Sequence, residues 1–226
     1  MRTGTSRRSD EDVDDQEHTT ARIERGAGAH ADRRARRRTD PHPRGHGEEA
    51  FDTLHAAGKV RNFGVSNHTP GQIELLKRSL NQPLVVNQVQ LSITHSPLFA
   101  AGIAANMAGL DQSIDRDNGL LDYSRLNDMT LQAWSPFQKA FFDGVFLGDR
   151  ENFAELNDVL DELAAAYGVT PTGIAVAWIT RHPANIQVVL GTTTPSRVVE
   201  SAAGSEIPLT REEWYRLFTA AGHTVP

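Results

Sequence analysis

From about Arg61 to Gly204 the chain repeats one phrase: a short apolar run, a turn, and a helix opened by a capping hydroxyl. The runs are "NFGVSN" (62–67), "PLVVNQVQLS" (83–92), "MTLQAWSPF" (129–137) and "NIQVVLGTT" (185–193). Each is rich in Val, Leu or aromatic residues and bounded by turn residues, as buried strands are. Helical text lies between them. "GQIELLKRSL" carries Ile73, Leu76 and Leu80 at spacings of three and four, and "ENFAELNDVLDELAAAYG" sets Phe153, Leu156, Leu160, Leu163 and Tyr167 on one stripe before Gly168. "TGIAVAWITRH" supplies another helix, closed before Pro183. Thr69-Pro70, Thr170-Pro171 and Thr194-Pro195 each place a capping hydroxyl before proline at the first helical position. Gln72 and Glu213 stand three residues after Thr69 and Thr210, as a capping box requires. Strands alternating with helices predict a parallel α/β sheet whose chemistry lies at the strands' C-terminal ends.

Four successive strand ends carry polar or aromatic groups: Ser66 and Asn67, then Gln88, then Trp134 and Ser135, then Gly191 and Thr192. In a barrel these would converge on one mouth. Taken singly, an Asn after a strand is commonly a turn residue and a Trp is usually core. Their shared register carries the functional reading.

The first 49 residues do not share this grammar. After the initial Met the only large aliphatic residues there are Val13 and Ile23, amid Arg, Asp, Glu, Gly, Ala and His. Such text cannot bury enough apolar surface to offset the entropy of ordering, so residues 1–49 are expected to be a disordered, charge-mixed tail. The run Arg33 to Arg38 reads as a solvated stretch before it reads as a nucleic-acid arm, because acidic residues precede it. Arg-, Ala-, Gly-, Pro- and His-rich text without lysine also resembles a GC-rich gene translated in the wrong frame, so a frameshift origin for the tail is a hypothesis. Across the whole chain the net charge is -6 and cysteine is absent. That excludes disulfide scaffolds, zinc ribbons and thiol nucleophiles, and gives no overall pull toward nucleic acid or membrane. With no apolar run near eighteen residues, the expected location is cytoplasmic.

The stretches "GKVRNFGVSN" (58–67), "VVNQVQLS" (85–92), "LQAWSPF" (131–137) and "GTTTPSRVVES" (191–201) resemble the second half of an aldo-keto reductase, in family order and spacing. The resemblance covers about residues 51–226. It implies a (β/α)8 TIM barrel represented by its last four strand–helix units, and hydride transfer between NADP(H) and a small aldehyde or ketone. By resemblance, Ser66, Asn67 and Gln88 would hold the nicotinamide carboxamide, whose donors and acceptor suit two amides and a hydroxyl. Trp134 stands where an aromatic residue stacks on the nicotinamide, and Ser135 beside the cofactor phosphates. Gly191, Thr192 and Thr193 match the loop that meets the adenosine end. Arg197 would take the 2′-phosphate, with Glu200 and Ser201 toward the adenine. The family often carries Lys in this loop, where this chain has only hydroxyls.

The same resemblance marks what is missing. The family's Asp, Tyr, Lys and His act from the first half of the barrel, whereas here the first Lys is Lys59 and the first Tyr is Tyr123. His42 and His46 match no strand end, and Tyr123, Tyr167 and Tyr215 fall in loop or helix text. Residues 50–226 also fall short of the roughly 200-residue minimum for a full barrel. The chain is therefore expected to be truncated and inactive alone, with an apolar barrel interior and open strand edges that favour self-association. The alternative is a non-catalytic half-barrel that binds nicotinamide nucleotide or dimerises. An aldolase-like barrel is disfavoured, since no lysine stands at a strand end for Schiff-base chemistry.

Overall fold

The computed structural model describes residues 46–139 and 143–226, with side chains from Glu49 onward. The charged segment before His46, with Arg33–Arg38 and His42, lies outside the described residues, as does the His46 side chain. Four parallel strands, β1 (Phe63–Ser66), β2 (Leu84–Gln90), β3 (Thr130–Trp134) and β4 (Gln187–Val188), lie side by side in chain order. Helices connect them: α1 (His46–Ala56) leads in, and α2 (Pro70–Lys77) joins β1 to β2. Two short helices, α3 (Pro97–Ile103) and α4 (Leu120–Leu126), join β2 to β3. Then come α5 (Ala154–Tyr167) and α6 (Pro171–Thr180) before β4, and α7 (Pro195–Ala203) and α8 (Arg211–Ala220) after it. This is the α/β order the sequence predicts, and it forms half of a (β/α)8 ring. The lead-in helix α1 is not legible as a helix in the sequence and crosses the position-49 boundary expected for the tail.

Alternation along the strands divides the sheet into a covered and an uncovered face. Phe63, Val65, Leu84, Val89, Leu131 and Ala133 are buried beneath helices that contribute Ile73, Leu156, Leu160, Ile174 and Ile179. The other face bears Ser66, Gln88, Gln90, Gln132 and Gln187. In register across three strands, Gln88 Nε2 donates to Gln132 Oε1 (3.2 Å), and Gln132 Nε2 donates to Gln187 Oε1 (2.9 Å). The expectation of an apolar interior is thus corrected in part. Gln88, Gln132 and Gln187 form a row of amides that satisfy one another, while Gln90 stands outside the row and Val86 and Trp134 share the same side. The fourth strand is also shorter than its sequence suggests, because pairing stops at Val188 and one further bond, Val189 N to Ala133 O (2.9 Å). Gly191 and Thr192 lie beyond the strand rather than at its tip.

Helix starts follow the sequence unevenly. Thr170 accepts from Gly173 N (3.2 Å), and Thr210 with Glu213 forms a reciprocal box (3.2 and 2.8 Å). Thr69 is tied through its backbone N–H to Gln72 Oε1 (2.9 Å). Thr194 makes no side-chain cap, contrary to expectation, and its N–H is taken by Thr192 Oγ1 (3.2 Å). The first turn of α7 therefore keeps its N–H groups free of a capping hydroxyl.

Two close packings lock the C-terminal helices. Trp178 and Trp214 stack at 4.9 Å and 6°, and each indole N–H donates to the other's carbonyl (3.1 and 2.9 Å). Where α7 runs onto α6, Gly204 meets Gly173 so closely that a Cβ on Gly204 would sit 2.0 Å from Gly173 O. Among the described residues, no single helix is long and apolar enough to cross a membrane.

Candidate functional site

At the C-terminal ends of β1, β2 and β3 lies a cleft of about 410 Å³. The turn after β1 supplies Asn67, His68 and Thr69 to its wall, β2 supplies Val89 and Gln90, and β3 supplies Trp134. The long β2–β3 connection adds His95, Pro97, Leu98, Arg116, Asp117 and Leu120.

Asn67 turns the chain at the strand end in the left-handed region (φ 56°), as does Ser135 (φ 52°). Asparagine tolerates that conformation well, so the bland reading of Asn67 as a turn residue holds. It also does more. Its Oδ1 accepts from Trp134 Nε1 (3.2 Å), linking the first and third strand ends across the mouth. The turn is fixed from below by Asn87, which is fully buried on the helix-facing side. Asn87 Nδ2 donates to His68 O (2.8 Å), and its Oδ1 receives His68 N (3.5 Å). Ser66 Oγ donates to Gln88 O (3.0 Å), and Asn67 N donates to the same carbonyl (3.0 Å).

The site residues read from sequence therefore fall into two groups. Asn67 and Trp134 meet in the cleft, Ser66 and Gln88 adjoin it through hydrogen bonds, and Ser135 follows Trp134 in the turn. Gly191, Thr192, Thr193, Arg197, Glu200 and Ser201 do not line it; they form the segment after β4 and the start of α7. Arg197 is exposed, and its guanidinium has no partner among the described residues. Ser201 is buried, and its hydroxyl donates back to Arg197 O (2.8 Å).

Several cleft residues escaped the sequence reading. Burial pushes the Asp117 carboxyl up, and Asp115 beside it adds to the effect, while Leu120 N donates to Asp117 Oδ1 (3.1 Å). Arg116 is spent on Asp111 Oδ1 (2.7 Å) and two carbonyls. Burial lowers the His95 imidazole, with His223 contributing. Gln90 Nε2 is buried with no hydrogen-bond partner among the described residues. Leaving such a donor unpaired costs about 1–3 kcal/mol. In the strand "NQVQ" Gln90 points the same way as Gln88, but alternation by itself does not separate a site residue from a surface one.

The described tyrosines stand elsewhere. Tyr123 donates to Glu74 and accepts from Lys77 Nζ (2.8 Å), tying α4 to α2. Tyr167 donates to Glu213 Oε2 (2.8 Å), and Tyr215 packs edge-on against Trp214. Among the described residues there is no cluster of His, Cys, Asp and Glu that would hold a metal.

The family model described as "Aldo/keto reductase family" matches residues 41–220. The chain belongs to the aldo/keto reductase family. It is 31% identical over 174 residues to the 6-dehydroglucose reductase of Agrobacterium fabrum, covering 76% of this chain and 50% of that protein. To the oxidoreductase YdhF of Escherichia coli it is 34% identical over 181 residues, covering 79% of this chain and 53% of the relative. The chain thus spans about half the length of the curated relatives it matches. Among solved structures, the thermostable aldo-keto reductase Tm1743 in complex with epalrestat aligns with a TM-score of 0.58 at 24% identity, over 80% of this chain and 56% of that one. The aldo-keto reductase AKR2E5 complexed with NADPH aligns at 0.53 and 24%, over 75% and 45%. These likenesses establish the barrel architecture of the half that is shared.

Proposed function

We propose that this chain forms the nicotinamide-nucleotide-holding half of an NADP-dependent aldo-keto reductase acting on small aldehydes or ketones. The observation that carries the reading is the Asn67–Trp134 hydrogen bond across the cleft, which presents an amide and an indole face side by side at adjoining strand ends. An indole plane suits an aromatic ring stacked against it, and Ser66, Asn67 and Gln88 offer hydroxyl and amide groups to a carboxamide. At the other end, the N-terminus of α7 and the unpartnered Arg197 suit a phosphate, with Thr193 and Thr192 at the approach and Glu200 on the following turn. Gly191 leaves room there, since no atom lies within 4 Å of a Cβ placed on it. In that role Ser201 would act through the helix, its hydroxyl being held by Arg197 O.

When bound, a reduced nicotinamide nucleotide supplies the hydride. What the chain's own residues do is orient it: Asn67, Ser66 and Gln88 fix the rotation of the carboxamide, and Trp134 covers one ring face, leaving the other toward substrate. No described tyrosine or histidine–lysine pair stands in the cleft to protonate a carbonyl oxygen, so we propose that the chain on its own binds nucleotide but does not turn over. Fluorescence titration tests the binding half. Wild type should bind NADPH more tightly than NADH, and Arg197→Ala should weaken NADPH by about ten- to hundred-fold while leaving NADH nearly unchanged. Equal effects on both nucleotides would remove Arg197 from the 2′-phosphate site. Carbonyl-dependent oxidation of NADPH by the purified chain would show that a proton donor had been overlooked.

A second reading, a non-catalytic half-barrel that pairs with a second copy, is supported by strands β1 and β4, whose outer edges are unpaired among the described residues. Light scattering separates the two, since that reading requires a discrete dimer.

A further inference from the structure

The β2–β3 connection that walls the cleft carries the one Asn-Gly dipeptide of the chain, Asn118-Gly119. Both residues lie in the left-handed region, Asn118 at φ 59° and Gly119 at φ 70°, in the turn that leads into α4. Asn118 is exposed, and no atom lies within 4 Å of a Cβ placed on Gly119. The side of Gly119 where another residue would carry its side chain is therefore open. Two carboxyl groups stand around the turn. Asp115 Oδ1 receives Asp117 N (3.0 Å), and Asp117 Oδ1 receives Leu120 N (3.1 Å). Burial alone would raise the Asp115 carboxyl, but the N–H groups of Asp117, Gly119 and Asn118 turned toward it prevail and hold it below the usual carboxylate range. Asp115 is thus ionised at neutral pH, with the Gly119 N–H among the donors it faces.

We propose that Asn118-Gly119 is a self-modifying turn, in which Asp115 takes the Gly119 amide proton and the freed nitrogen attacks the Asn118 side-chain carbonyl carbon. The new C–N bond closes a succinimide ring. The bond from Cγ to Nδ2 breaks, and that nitrogen leaves as ammonia with the proton Asp115 had taken up. Water then opens the ring at either carbonyl. One product is aspartate at position 118; the other is isoaspartate, which carries the main chain through the former side-chain carbonyl and lengthens it by a methylene. Each product disturbs the cleft wall. A carboxylate at 118 joins Asp115 and Asp117, and like charges at close quarters drive the Asp117 carboxyl further toward its neutral form. The longer main chain enters α4 late, so Leu120 N loses its Asp117 acceptor and Leu120 leaves its place in the wall. Because ammonia is lost, the change ages the cleft rather than switching it, and it does so whatever the cleft binds.

The test incubates the folded full chain at mildly alkaline pH and follows the peptide containing residue 118 by mass spectrometry, with ammonia release and isoaspartate labelling as independent readouts. Wild type should convert at Asn118, and hydroxylamine, which traps a succinimide, should cut the chain between residues 118 and 119. Asp115→Asn keeps an acceptor for the N–H groups but removes the base, and should slow conversion about ten-fold or more, while Asp115→Glu should retain most of the rate. Asn118→Gln should abolish the reaction, since a longer side chain closes its ring poorly. If circular dichroism shows an Asp115 variant unfolded, the comparison is folded wild type against the free peptide of residues 111–126, and the folded chain should convert at least as fast. No conversion in the folded chain, conversion slower than in the free peptide, or an Asp115→Asn rate equal to wild type overturns the proposal. The backbone amide resonances of Asp117 and Leu120 should shift in step with conversion, and unmoved resonances in the converted chain would refute the effect on the cleft wall.

Discussion

Replacing Gly204 by alanine should destabilise the chain by about 2–4 kcal/mol, although alanine is the better residue for the local backbone. Gly204 has φ −66°, an ordinary right-handed conformation, so the substitution alone would stabilise by about 0.4–1 kcal/mol through the unfolded chain. The contacts reverse the sign. The added Cβ would lie 2.0 Å from Gly173 O, 2.8 Å from its carbonyl carbon and 2.9 Å from its Cα, all backbone atoms of a buried helix. Ordinary contact begins at 3.4 Å, so α6 and the end of α7 would have to part by more than 1 Å. Overpacking of this kind costs about 1–3 kcal/mol, and a backbone–backbone clash sits at or above the upper end. Two controls bracket the effect. Gly173→Ala meets Glu200 O at 3.3 Å and should be near neutral to about 1 kcal/mol destabilising. Gly102→Ala in α3 meets nothing within 4 Å and should stabilise by about 0.5–1 kcal/mol. Urea unfolding followed by tryptophan fluorescence, at constant slope, gives all three values. If Gly204→Ala unfolds within 0.5 kcal/mol of wild type, in the range expected of a surface change, the close approach does not exist in solution.

Trp214→Phe keeps the stacked ring but strands the carbonyl of Trp178, and should cost about 2 kcal/mol in the same assay. Trp134→Phe should leave stability within about 0.5 kcal/mol yet weaken NADPH roughly two- to ten-fold, because the exposed bond that steadies Asn67 is lost. Burial, with Arg125 and Arg181 nearby, pushes His182 down to about 4 from an ordinary 6.5, and its Nδ1 accepts from Ala184 N (3.2 Å). The unfolded chain therefore takes up this proton first: the stabilisation is whole above pH 6.5 and is lost as pH falls from 6.5 toward 4. The shift corresponds to about 3.4 kcal/mol at face value, and solvent reaching the half-buried ring reduces that to about 1–2 kcal/mol. His182→Gln should flatten the stability–pH profile between pH 6.5 and 5, and an unchanged slope there would assign the effect elsewhere.

The strands were legible because Phe63, Val65, Leu131 and Ala133 must be apolar to sit under helices, and the helix starts were legible where Thr170 and Thr210 do cap. Thr194 shows the limit of that reading: the same Thr-Pro dipeptide opens α7 with its hydroxyl unused, while its own N–H is held by Thr192. Asn67 and Trp134 could be placed at strand ends from the text, but their hydrogen bond spans 67 positions of chain and depends on sheet twist. Gln90 and His95 went unnoticed because an alternating polar residue in a strand, or a histidine in a long loop, has nothing local to distinguish it. Only the cleft that they line in three dimensions brings them together. The polar side of the sheet was hidden for a related reason, since three glutamines far apart in the chain make a row only once the register is fixed.

That row has a direction. Each nitrogen points toward β4, so Gln88 spends its donor on its neighbour and keeps its oxygen as the group left to offer. What Gln88 can read in a visitor is therefore set two strands away, by Gln187 acting as terminal acceptor. A glutamate there would pin the polarity, whereas a lysine would turn every amide around and hand Gln88 a proton to give instead of a lone pair.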